Sequence, residues 1–264
     1  MLEAVILGLA QGLAEWIPIS SEGLIVAIKS NFFSGDKTIV DLIRLALFLH
    51  FGTFLSALVY FRKDVFNLTK TAFRPKESSE EDRKIFRFIF IATLVSGLFG
   101  FLLLQFIGRF EEKLKLGSVF ANTLIALMLF ITATLQLSSK KTGLKEEKNL
   151  NIWDGLALGI MQGLSVVPGL SRSGLTVSAL LLKKFNDTTA LRLSFLLSLP
   201  IVFLGNLFLN FRSFSVSLEL IVALIVSFLA GILTIDILLR LARKINFGYF
   251  AIFFGILLLI ANFL

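Results

Sequence analysis

Two apolar stretches, Ala4 to Ile28 and Ile152 to Leu182, are each broken in the middle by residues that hydrocarbon does not tolerate. Glu15, Pro18, Ser20, Ser21 and Glu22 interrupt the first, and Pro168, Gly169, Ser171, Arg172 and Ser173 the second. Proline removes a helical hydrogen bond and charge is costly in lipid, so such backbone survives only against protein or a water-filled cavity. Six further apolar runs bounded by charge are uninterrupted: Ile39 to Phe61, Ile85 to Ile107, Ser118 to Leu137, Thr188 to Leu209, Ser217 to Leu239 and Gly248 to Leu264. With 56% hydrophobic and 17% charged residues, the composition is that of a chain solvated by lipid, and a soluble enzyme is excluded. Eight segments leave no room for a separate soluble domain, so 1–264 reads as a single integral membrane domain. Met1 to Gln11 has no basic n-region and no cleavage site, and reads as part of that domain rather than as a removable signal peptide. Cys 0 and His 1 exclude disulfides, thiolate sites and histidine-rich metal clusters. The net charge of +8 fits cytoplasmic loops and anionic headgroups rather than nucleic acid.

The two broken segments also match each other at an offset of 151. Gly8/Gly159, Gln11/Gln162, Gly12/Gly163, Leu13/Leu164, Ser20/Ser171, Gly23/Gly174, Leu24/Leu175 and Val26/Val177 are identical. Apolar matches are cheap in such a composition, but a shared Gln-Gly, Ser and second Gly indicate an internal duplication, with halves at about 1–150 and 151–264. The following segments align at offset 148 through Arg44/Arg192, Leu45/Leu193 and Leu49/Leu197.

Loop cations decide whether the broken segments cross, because short cytoplasmic loops carry the positive excess. If all eight segments span, the loop lysines and arginines divide twelve to ten; if the first and fifth are re-entrant, they divide sixteen to six. The re-entrant arrangement is favoured. Each half is then a hairpin plus three crossings, an odd number, so the second half is inverted and both termini lie outside. The hairpin tips, one entering from each side, meet near the midplane, where inverted-repeat proteins place their sites. The connection Arg62 to Arg83, with its mixed charge run Lys76 to Arg83, reads as a solvated cytoplasmic loop.

Pro168 to Thr176 places three hydroxyls (Ser171, Ser173, Thr176), the Arg172 guanidinium and glycine-freed backbone in nine residues. That set suits an anion, since arginine grips phosphate oxygens through a planar fork. The bland alternative is a kink whose Arg172 pairs with Glu15, Glu22 or Asp154 and binds nothing. Gln11 to Gly23 supplies two carboxylates, an amide and two hydroxyls. Gln11 and Glu15, four apart, share a helix face and can hold a divalent ion or orient a hydroxyl. His50 reads as an interhelical hydrogen bond, and Trp16 and Trp153 as lipid contacts or interface anchors.

With both motifs quoted, the chain resembles the undecaprenyl-diphosphate phosphatase, or bacitracin-resistance, family of membrane phosphatases over nearly its whole length. The family motif [E/Q]GxTEFLPxSSxGH corresponds to Gln11 to Gly23, and PGxSRSGxT corresponds to Pro168 to Thr176 at every fixed position. Weaker echoes are Leu49 to Thr53 with Tyr60 to Arg62, and Ser194 to Pro200. The resemblance implies an all-α polytopic fold, with six transmembrane helices and two re-entrant hairpins in an inverted repeat. It implies hydrolysis of a long-chain polyprenyl diphosphate to the monophosphate and inorganic phosphate, with a divalent cation (Mg or Ca), at a site open to the outer face of the cell membrane. Its partners would be the lipid and the bilayer, and a homodimer is compatible with it. Carried over by position, Glu15 is the cation- or base-type carboxylate and the metal residue, and Gln11 its partner. Ser21 is the nucleophile or phosphate donor, Arg172 the phosphate clamp, and Ser20, Gly169, Ser171, Ser173 and Thr176 bind substrate. The histidine that ends the first family motif is Leu24 here, which leaves Glu22, two residues away, as a substitute base. A lipid-phosphate transporter or flippase, and a binder that has lost catalysis, are the competing functions.

Overall fold

The structure, a computed structural model, describes residues 1–33, 38–114, 118–139, 143–210 and 217–260, and every named element among them is helical. In chain order they are α1 (Leu2–Ala14), α2 (Ser21–Phe32), α3 (Ile39–Tyr60), α4 (Arg62–Phe73), α5 (Glu80–Leu114), α6 (Ser118–Ser138), α7 (Ile152–Leu164), α8 (Arg172–Leu182), α9 (Asp187–Gly205), α10 (Leu218–Lys244) and α11 (Gly248–Ile260). A π turn, Asn206–Asn210, extends α9. The loop cations Lys37, Lys115, Lys140, Lys141 and Arg212, and residues 261–264 of the last apolar segment, lie outside the described residues.

Helices α3, α5, α9 with its π turn, and α10 are long and apolar enough to cross a bilayer. Helix α6 has 21 residues and packs along α11. The broken segments behave differently. Helices α1, α2, α7 and α8 contain 13, 12, 13 and 11 residues. At a rise of about 1.5 Å per residue none extends beyond about 20 Å, against roughly 30 Å of hydrocarbon. Helix α1 packs on α2 and α7 on α8, so each broken segment is a hairpin that enters and returns. Their breaks fall just ahead of or around Pro18 and Pro168, where the missing donor and the restriction on the preceding residue stop a helix.

Close packing in lipid relies on small residues and polar bonds, because lipid tails are as apolar as leucine. The repeat glycines supply it, and they do so reciprocally. A Cβ added to Gly8 would lie 2.5 Å from the Ala223 carbonyl oxygen of α10, and one on Gly12 would lie 2.6 Å from Ala230 Cβ. A Cβ on Gly159 would lie 2.6 Å from Val95 Cβ of α5, and one on Gly163 would lie 2.8 Å from Phe99 Cδ1. The first arm of each hairpin thus docks on a long helix of the opposite half, as an inverted duplication requires. Between them α3 meets α9, and the repeat leucines Leu45, Leu49, Leu193 and Leu197 are all buried. At one end of the bundle Arg192 bonds Asp64 (Nε to Oδ1, 3.1 Å) and Glu147 (Nη1 to Oε1, 2.7 Å), tying α9 to α4 and to the turn before α7.

Two expectations change. Trp16 is not a lipid or interface anchor: it is buried, with its ring centroid 5.5 Å from that of Phe195. Trp153 is exposed, as an anchor should be. The charged connection after α3 is also not all loop, since its first half forms α4, which leaves Phe66 and Phe73 exposed.

Candidate active site

The two hairpin tips meet. Ser20 Oγ accepts from the Gly23 amide at 3.1 Å and Ser171 Oγ from the Gly174 amide at 3.0 Å. Two identities of the repeat are therefore an N-cap serine and the glycine amide it caps, opening α2 and α8 with the same hydrogen bond. A Cβ on Gly23 would lie 3.1 Å from the Gly169 amide nitrogen, so the tips touch. Gly169 itself has φ +96, and a Cβ there would lie 2.5 Å from the Ile125 carbonyl oxygen. Glycine is thus required on two counts. Helix α6 fastens both tips: Thr132 Oγ1 donates to the Gly169 carbonyl (3.3 Å) and accepts from the Ser171 amide (3.2 Å), while Gln136 Nε2 donates to the Pro18 carbonyl.

Capping at equivalent positions makes Ser21 and Arg172 the first residues of their helices. Glu15, 5% exposed, lies between them. Its Oε1 pairs with Arg172 Nη2. Its Oε2 accepts from Ser21 Oγ (2.8 Å) and Gln11 Nε2 (2.8 Å) and lies 3.1 Å from His50 Nε2. Gln11 Nε2 also reaches Thr53 Oγ1 at 3.2 Å. The i, i+4 pairing of Gln11 and Glu15 read from the sequence is present, and it serves to orient the Ser21 hydroxyl.

Arg172 does pair with Glu15, as the bland reading of the kink had it, but with only one arm. Its Nη1 is buried with no hydrogen-bond partner. Asp154 is engaged elsewhere, with Lys183 at 2.7 Å. The unmet guanidinium nitrogen and the N-termini of α2 and α8 present donors and positive potential to one place, which is how helix ends bind anions. Ser173 Oγ lies 3.3 Å from Ser171 Oγ. Thr176 sits further along α8, donating to the Arg172 carbonyl at 2.8 Å and lying 2.6 Å from Ser194 Oγ, where it supports the helix from behind.

The sequence reading did not bring His50 into this group, nor Thr53, Thr132 and Gln136. All four lie on α3 or α6, outside the two hairpin motifs, on helices that are otherwise mainly apolar. The available signals were that His50 is the only histidine and lies in a span, and that His50 and Thr53 fall within the weaker echo Leu49 to Thr53.

A small cleft of about 20 Å³ is lined by Glu15, Ser20, Ser21, Glu22, His50, Ser171, Arg172 and Ser173, room for about one water. Glu22, His50 and Arg172 also border a cavity of about 510 Å³ whose walls are otherwise mainly apolar, including Ile43, Leu47, Phe101, Leu104, Val166 and Phe208. Polar cluster and apolar chamber are contiguous through those three residues.

Among the described residues no three acidic or histidine side chains converge as a metal-binding group. Glu15 has both oxygens committed to Arg172, Ser21, Gln11 and the neighbourhood of His50. Glu22 Oε1, by contrast, is buried without a partner, a hard oxygen donor of the kind that Mg and Ca take.

The chain matches the family model described as bacitracin resistance protein BacA over residues 4–260. It is 37% identical to a protein of Methanococcoides burtonii named undecaprenyl-diphosphatase, over 99% of this chain and 98% of that protein. Proteins of the same name from Haloarcula marismortui (37% identical; 97% of this chain and 94% of that protein) and Syntrophotalea carbinolica (36%; 96% and 94%) are similar throughout. With paired hairpins, both motifs and full-length similarity in agreement, this chain is a member of the bacitracin-resistance (BacA) family of membrane proteins.

Proposed function

We propose that this chain hydrolyses a long-chain polyprenyl diphosphate of the undecaprenyl type to the monophosphate and inorganic phosphate, returning a lipid carrier to use. The observation that carries this reading is the divided Arg172 fork. One nitrogen is held by Glu15, and the other is buried and unmet beside two helix N-termini, next to a serine hydroxyl and an apolar chamber. Diphosphate cleavage needs charge neutralisation and positioning at phosphorus. Arg172 and the helix ends supply the first, and Glu15, holding Arg172 and Ser21 together, supplies the second. Ser171 and Ser173 line the cleft, and Gly169 lets the tip that carries them pack against α6. The isoprenoid chain would occupy the apolar cavity, with its headgroup at the shared edge formed by Glu22, His50 and Arg172.

A divalent cation would find one free buried oxygen donor here, Glu22 Oε1. Glu22 would hold it, and when bound it would supply positive charge at the diphosphate. The molecule would act as a single membrane domain of two halves, about 1–150 and 151–264, with both termini outside and one hairpin entering from each face.

The test is inorganic phosphate release from a polyprenyl diphosphate by purified protein, with and without chelator. Release that requires Arg172 supports the reading. Binding without release under any divalent-ion condition would select a lipid-phosphate binder, and movement of intact lipid phosphate across vesicles without cleavage would select a transporter.

A further inference from the structure

We infer that His50, on α3, is the proton-exchanging catalytic residue of this chain, taking the part that the family motif gives to a histidine at the position of Leu24. The inference rests on the diphosphatase reading above. The two imidazole nitrogens have different surroundings. Nδ1 lies 2.6 Å from the Ala46 carbonyl oxygen. A carbonyl only accepts, so Nδ1 carries its hydrogen whether the ring is neutral or charged. Exchange falls to Nε2, which lies 3.2 Å from Ser21 Oγ and 3.1 Å from Glu15 Oε2. Ala46 is one helical turn before His50, so the backbone of α3 itself sets the orientation of the ring.

The motif position and His50 approach one hydroxyl by different routes. Residue 24 follows Ser21 by three on α2 and so shares its helix face. Here it is a leucine, packed with other apolar side chains against the main core cluster. Helix α3 lies directly against α2 and delivers His50 from the side. The other charged groups facing this point are Glu15 and Glu22 from the first hairpin and Arg172 from the second. Glu22, the candidate base suggested by the sequence, is not the group on the hydroxyl: Ser21 Oγ is engaged by Glu15 and His50.

In the reaction the Ser21 hydroxyl turns its one hydrogen from Glu15 Oε2 to His50 Nε2, Oγ attacks the terminal phosphorus and the proton passes to Nε2. The bond from that phosphorus to the bridging oxygen breaks, and the electron pair leaves with the polyprenyl monophosphate. Water then attacks the phosphoserine. The Oγ–P bond breaks, Nε2 returns its proton to Oγ, and dihydrogen phosphate departs with both hydrogens of the water.

The test relocates the histidine. Phosphate release by the full chain, reconstituted in lipid with an undecaprenyl-type diphosphate, is measured for His50→Gln, Leu24→His and the double variant. His50→Gln is expected to lower kcat at least about a hundredfold with KM within about threefold and an unchanged melting profile. Leu24→His alone stays within about threefold, and in the His50→Gln background it raises kcat at least about tenfold. A merely structural His50 would not be relieved by a histidine on another helix. If His50→Gln does not fold, His50→Asn is read by the same criteria. A folded His50→Gln with kcat within threefold of the unsubstituted chain, or one whose loss Leu24→His does not relieve, overturns the role. No phosphate release by the unsubstituted chain overturns the diphosphatase reading and this role together, whereas release with an indifferent His50→Gln overturns the role alone.

Discussion

The two hairpins are copies in scaffold and opposites in chemistry. Gly8 and Gly159, Gly12 and Gly163, Ser20 and Ser171, and Gly23 and Gly174 do the same structural work in each: close approach to a long helix of the other half, then a cap and its amide. The residues that differ are the ones that react. At the offset that pairs these positions, Glu15 faces Val166, Ser21 faces Arg172 and Glu22 faces Ser173. Duplication therefore set two helix N-termini against each other, and divergence put the hydroxyl on one and the guanidinium on the other. The carboxylate that joins them belongs to the first hairpin alone, so breaking it should be the most damaging single change. Glu15→Gln is expected to lower kcat/KM about a thousandfold, or ~4 kcal/mol of transition-state stabilisation. Phosphate release by folded protein measures it, and a loss under tenfold would mean that the hairpins act independently.

Arg172→Lys comes next. Lysine keeps the charge but cannot hold Glu15 with one nitrogen and present a second in a fixed plane. A loss of at least about tenfold, or ~1.4 kcal/mol, is expected with normal insertion and purification. Equal rates for lysine and arginine would reduce the second hairpin to a point charge.

Much of this was legible because polar residues and glycines are scarce in an apolar chain, so their repetition stands out. The offset of 151 found the caps and the close-packed glycines before their work was known, and the loop cations separated hairpins from spans. What was not legible comes from elements outside the two hairpin motifs. His50 is 29 residues from Ser21, and only the packing of α3 on α2 brings them together. Thr132 and Gln136 brace both tips from α6, where neither has a sequence relation to its partner. Trp16 looked like an interfacial ring because nothing in its neighbours foretold Phe195 packed beside it.

The paired glutamines test whether the chemistry resides in the first hairpin. Gln11 donates to Glu15, whereas Gln162 donates to Ser96 Oγ at 3.1 Å and borders the apolar cavity. Gln11→Leu should cost about fivefold in kcat (~1 kcal/mol) by loosening the carboxylate, and Gln162→Leu less than about threefold. Steady-state phosphate release on both variants compares them directly, and a reversed order would show that the second glutamine has kept a catalytic duty.

The smallest expected effect concerns the caps, where the hairpins look most alike. Ser20→Ala and Ser171→Ala each remove a cap bond and should each lower stability by about 1 kcal/mol, a fall in apparent Tm of roughly 2–4 °C. Glycine at the same positions should separate them. Ser20 has φ 66, in the left-handed region, while Ser171 has φ −64. The second hairpin places its positive φ on Gly169 instead. A left-handed conformation costs a residue with a Cβ about 1–2 kcal/mol, and glycine is nearly as good a cap as serine. Ser20→Gly should therefore match or exceed the unsubstituted Tm, while Ser171→Gly falls below it, since glycine there adds unfolded-state entropy and relieves no strain. Thermal unfolding of the purified variants in one lipid or detergent reads the difference. Identical shifts for the two glycine variants would mean that the tip of the first hairpin carries no strain at Ser20, and that the copies differ only in their charges.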